Sequence, residues 1–225
     1  MSTRTAGRIV GALFLLAFAV YITGTALVGS GSGLPDSPPR ADDPRIPAGA
    51  LLMLVNSAAV AGIGVLALPV LRPHDETSAH AYAISRAIEA VMLAVGVVFV
   101  LLLVPLAKEQ ADAGAEGSAL FQALARTALQ GNEYAYQVAM TSLAVGGLLF
   151  CRVLLRARLV PAPLAVWGLA GYAVFLAGAV LEILGHEVGL VLSVPGGLFE
   201  VALGVLLVVR GFPAVGADAR RLPVT

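Results

Sequence analysis

The chain has 225 residues, of which 59% are hydrophobic and only 12% charged, with a mean hydropathy of +0.91. An ordinary soluble domain carries about 25% charge, so this composition excludes such a domain and specifies a multi-pass membrane protein. Fourteen basic residues balance fourteen acidic ones, which excludes the basic surplus of a nucleic-acid binder, and one cysteine, Cys151, excludes an intramolecular disulfide.

A crossing needs about 20 apolar residues in a helix. Six segments qualify, over residues 8–28, 47–71, 82–106, 133–155, 161–185 and 188–210, giving an all-α fold and a single transmembrane domain over residues 1–225. The first follows the basic start MSTRTAGR, but its apolar run exceeds the roughly 7 to 15 residues of a cleavable signal. An uncleaved first span is expected. The first connection, SGSGLPDSPPRADDPRIP, is rich in Pro, Gly and Asp, and its Asp42-Asp43 pair reads as solvated loop charge.

The second span carries Asn56, at a depth similar to Tyr21 and Thr25 of the first. The third carries ISRAIEAV, with Arg86 and Glu89 three residues apart, a spacing at which two side chains meet on one helix face. Intramembrane charges usually pair with one another, so a structural ion pair is the simplest reading; the sharper one gives Arg86 an anionic headgroup or Glu200 as partner. The third connection contains SALFQALARTAL, whose Leu120, Leu124 and Ala128 recur every four residues and predict a short interfacial helix.

On the fourth span Glu133, Tyr136, Gln137, Met140, Ala144 and Gly147 share a stripe that is polar at one end. The fifth repeats the pattern, with Gly168, Gly171, Phe175 and Gly178 leading to Glu182 and His186. The sixth, PGGLFEVALGVLLVVRGF, sets Glu200 near the middle of an apolar run, between Gly196 and Gly204 on one face. A charge at such depth costs about 2.5 to 3.5 kcal/mol, so Glu200 must face protein or water, and the small residues beside it allow close helix approach.

Nine of the fourteen basic residues (Arg4, Arg8, Arg72, Arg152, Arg156, Arg158, Arg210, Arg220 and Arg221) fall on one side of this topology. The positive-inside rule then places both termini in the cytoplasm.

Three segments carry a family resemblance: TRTAGRIVGALFLL, LLFCRVLLRARLVPAPLAVWGLAGYAVFLAG and SVPGGLFEVALGVLLVVRGF. They resemble the bacterial membrane family catalogued as domain of unknown function 4386. The resemblance implies a six-helix fold in the bacterial cytoplasmic membrane and brings no catalytic residues with it.

Metal and nucleotide chemistries lack their first requirements. There is no His-Glu-x-x-His and no Gly-x-x-x-x-Gly-Lys-[Ser/Thr], His74 and His80 lie on the side opposite His186, and no cofactor is implied. Glu182 and His186 at i, i+4 could share a metal with Glu133, but two-ligand spacings arise often by chance. No metal is assigned.

Three functional readings follow. In the first, membrane lipid surrounds a bundle whose polar outer half, with Asn56, Glu133, Gln137, Glu182, His186 and Glu200, binds a small amphiphile or a partner helix. In the second, Glu200, Glu182 or Glu133 serves an intramembrane acid-base enzyme acting on a lipid or isoprenoid substrate. The third is a proton-coupled transporter built on an inverted three-helix repeat, because AIEAVMLAVGVV and LFEVALGVLLVV place Glu89 and Glu200 alike. Ligand and oligomeric state are not legible.

Overall fold

Hydrocarbon offers the backbone no hydrogen bonds, so apolar runs of this length satisfy themselves as helices. The structure, a computed structural model, describes residues 1–32, 43–113, 118–186 and 188–213. It contains α1 (Thr3–Ser32), α2 (Arg45–Leu71), α3 (Glu76–Leu101), α4 (Leu103–Ala113), α5 (Ser118–Arg156), α6 (Ala162–Ile183) and α7 (Gly189–Arg210). Among the described residues six helical segments are long and apolar enough to cross a membrane, α3 and α4 counting together as one. Pro105 has no N–H to donate to Leu101, and the helix breaks at Leu102 before restarting.

Each span packs on the next in chain order, α1 on α2, α2 on α3, α3 on α5, α5 on α6 and α6 on α7, and α7 closes back on α1. The six spans form a ring. Glycines permit the closest approaches: a Cβ at Gly171 would lie 3.1 Å from Gly196 Cα, and one at Gly11 would lie 2.6 Å from the Gly204 carbonyl oxygen. The two glycines flanking Glu200 therefore serve different neighbours, Gly196 facing α6 and Gly204 facing α1.

The ring overturns the inverted repeat. A two-fold axis in the membrane plane reverses the sense in which helices run around a ring, yet α5, α6 and α7 continue in the same sense as α1, α2 and α3. No such axis superposes the halves, so the transporter reading loses the repeat on which it was built.

The short interfacial helix is also corrected. SALFQALARTAL is the first part of α5, which runs unbroken for 39 residues, about 58 Å at 1.5 Å per residue. Gly131, near the expected break, lies within the helix with its bare Cα against the Phe99 ring, from which a Cβ would lie 2.7 Å away. Ala125 and Ala128 are buried with Val97, Val100 and Leu103, while Leu120 and Leu124 are exposed. The segment therefore packs on the α3–α4 arm through its alanines.

Arg4, Arg8, Arg72, Arg152, Arg156, Arg158 and Arg210 stand at the end of the ring where α1 begins and α7 ends; Arg40, Asp42, Arg220 and Arg221 lie outside the described residues. There Thr3 Oγ1 donates to the Pro213 carbonyl at 3.2 Å and Arg4 Nε to that of Arg210 at 3.2 Å. Asp75 caps α3 at this end, accepting from Ser78 N at 3.0 Å and Ser78 Oγ at 2.8 Å. The Ser78 backbone N–H, with its hydroxyl, holds the Asp75 carboxyl below the usual carboxylate range.

Helix ends at three described positions adopt positive φ, Gly185 at 88°, Gly211 at 68° and Arg158 at 51°. After α5 the Leu159 N–H bonds the Leu154 carbonyl at 3.0 Å and the Arg158 N–H bonds that of Leu155 at 3.3 Å. This is a Schellman ending, with arginine at the left-handed position where glycine usually stands.

Candidate functional site

Every span sends residues to the interior of the ring. The Arg86–Glu89 spacing places both groups on the inner face of α3, where Arg86 Nη1 lies 2.9 Å from Glu89 Oε2. Both are almost fully buried, at 2% and 3% exposure. From α7, Glu200 Oε1 comes to 3.9 Å from the same Nη1 and accepts a hydrogen bond from Tyr172 Oη of α6 at 2.6 Å. The guanidinium also lies 5.4 Å from the Phe14 ring centroid and 6.0 Å from that of Tyr82, within reach of cation–π attraction.

Glu200 therefore belongs to the polar layer of Arg86, and the pair expected on α3 is joined by a third ionisable group. The cluster is incompletely satisfied. Arg86 Nη1 and Glu89 Oε2 meet as an ion pair without hydrogen-bond geometry, and Arg86 Nε and Tyr82 Oη have no hydrogen-bond partner among the described residues. A buried polar atom left in that state costs about 1 to 3 kcal/mol.

Against this cluster lies a chamber of about 140 Å³, walled by Arg86, Glu89 and Glu200, by Asn56 and by aromatic side chains including Phe14 and Tyr172. A space of about 150 Å³ accommodates a six-carbon ring. Toward the opposite end of the ring follows a larger vestibule of about 510 Å³, reached by Glu133, Gln137 and Glu182. The two spaces share Tyr21, Tyr136, Met140, Phe175 and Ser193 in their walls. Tyr21 and Tyr136 stack between them with ring centroids 5.5 Å apart and planes 12° from parallel.

The residues expected at one depth thus divide. Glu133, Gln137 and Glu182 meet in the vestibule, where Gln137 Nε2 donates to Glu133 Oε1 at 2.6 Å. Asn56 and Glu200 line the inner chamber. His186 is exposed past the end of α6 and lines neither space; the chain turns at Gly185 before it and carries it off the Glu182 face. Among the described residues no three histidine, cysteine, aspartate or glutamate side chains gather as metal ligands.

Sequence reasoning missed Tyr172, although it stands four residues after Gly168 and three before Phe175 and so on their helix face. It also missed the clamp between α3 and α5, in which Ser85 Oγ donates to the Ser142 carbonyl at 2.5 Å and Ser142 Oγ to that of Ser85 at 3.0 Å. Serine at positions 85 and 142 was the available signal, because hydroxyls on apolar helices bond across helices.

Among known proteins, the profile of a family described as "Domain of unknown function (DUF4386)" matches residues 9–211. No curated protein and no solved structure matches the chain.

Proposed function

From the premise that this chain belongs to the DUF4386 family, which carries no assigned chemistry, we propose that it is a multi-pass protein of the bacterial cytoplasmic membrane, both termini cytoplasmic, that binds a small amphiphile inside its helix ring. The observation that carries this is the pair of adjoining spaces. Polar groups stand at both ends, Arg86, Glu89 and Glu200 at one and Glu133, Gln137 and Glu182 at the other, with an aromatic collar between. The guest's polar group would meet Arg86, Glu89 and Glu200, which line the chamber, and its apolar body the collar. Their combined size falls within the usual range of about 300 to 1,000 Å³ for small-molecule sites. The membrane orientation is supported by the seven arginines at the end of the ring that holds the α1 start and the α7 end.

Native mass spectrometry of the mildly solubilised protein tests the reading. Wild type should carry a small-molecule adduct that Ala17→Phe, which fills the inner chamber, and Glu200→Gln, which alters its floor, both diminish at least tenfold. An adduct of equal mass and occupancy in both variants would sink the proposal.

A further inference from the structure

At the arginine-rich end, between the start of α1, the α5–α6 turn and the end of α7, lies a groove of about 560 Å³ that is separate from the interior spaces. Arg4, Arg158 and Arg210 reach it, and Leu206, Val160 and Phe212 are among its apolar walls. Among the described residues no carboxylate lines it, and none of these arginines forms an ion pair. Three cations thus line one groove with no carboxylate beside them among the described residues.

Arg158 gives an independent reason to see design here. The other two described left-handed helix ends use glycine, and one of them, Gly211, lines the same groove. At the end of α5 the chain instead holds an arginine in that conformation, while Leu159 and Val160 after it are buried at 7% exposure each. Strain kept at a position where glycine would relieve it points to use of the side chain.

We propose that this groove binds the phosphate of an anionic phospholipid, with the three guanidiniums on the headgroup and Leu206 and its neighbours against the upper acyl chain. Guanidinium matches phosphate in charge and planar geometry, and basic pockets between spans at the cytoplasmic side select anionic lipids. The apolar wall distinguishes a lipid from a free anion, because a soluble phosphate would gain nothing from the half-buried Leu206. The site does not depend on the interior reading.

Trp167, the chain's one tryptophan, supplies the reporter. It lies six residues beyond Pro161 of the groove, about 9 Å along α6, and is 40% exposed. The full chain is reconstituted in phosphatidylcholine vesicles doped with phosphatidylglycerol, either lipid being brominated on its acyl chains. Brominated phosphatidylglycerol should quench Trp167 with at least tenfold preference over brominated phosphatidylcholine, falling as salt rises. Arg158→Gly should cut the preference about fivefold while keeping the fold, since glycine suits the left-handed position, and Arg210→Gln should act alike. Equal quenching by both lipids in wild type would overturn the site, as would an unchanged preference in both variants. Displacement of the brominated lipid's effect by millimolar inorganic phosphate would overturn the lipid assignment in favour of a free anion.

Discussion

The inner chamber and the outer vestibule are built from the same kinds of side chain on the same helices, yet they hold them in opposite ways. In the vestibule Glu133 is exposed and takes its hydrogen bond from Gln137, one turn away on its own helix. In the chamber Glu200 is 8% exposed, and its partners Tyr172 and Arg86 come from two other helices. A carboxylate near water can be satisfied locally and contributes little to the fold. One buried in the ring is held by tertiary structure, and holds it in turn.

That contrast can be broken most forcefully at Arg86. Arg86→Ala leaves Glu89 and Glu200 buried without their cation, and removing one partner of a buried ionic cluster costs about 3 to 5 kcal/mol. Thermal unfolding in detergent should show the largest loss of any single substitution at the site; a midpoint within a degree or two of wild type would mean that water reaches the cluster freely. Next comes Tyr172→Phe, which removes the 2.6 Å hydrogen bond to Glu200 at a cost of about 2 kcal/mol, the usual worth of a bond to a charged acceptor. The smallest effect belongs to the vestibule. Glu133→Ala should shift stability by no more than about 0.5 kcal/mol in the same assay, and a shift as large as that of Tyr172→Phe would erase the distinction between the two layers.

Much of the architecture was legible because hydrophobicity fixes which segments cross. The six spans, the Arg86–Glu89 spacing on α3 and the inward face of Glu200 all follow from local periodicity. What periodicity cannot supply is which helices are neighbours. Glu200 could be read as a member of the outer polar group with Glu182 or as a partner for Arg86, and only the packing of α7 between α6 and α1, which sets it beside Arg86, decides. The same gap produced the inverted repeat, because similar sequence on α3 and α7 is blind to the direction in which a ring is traversed. The start of α5 misled for a different reason. Leu120, Leu124 and Ala128, spaced by four, suggested a short interfacial helix, whereas the residues that pack there are Ala125 and Ala128.

Closure of the ring has a consequence for how such a protein is made. If spans enter the bilayer in chain order, α3 arrives with Arg86 and Glu89 already on one face, so its charges travel as a pair before Glu200 is present. Glu200 follows on the last span, directly behind the helix that carries Tyr172, and so enters as part of a hairpin that brings its own donor. The 3.9 Å contact between Arg86 and Glu200 is different in kind, for it joins α3 to α7 across the lumen and can form only once the final helix is present. It acts as a latch, and its formation would mark the moment at which six inserted helices become an enclosed space.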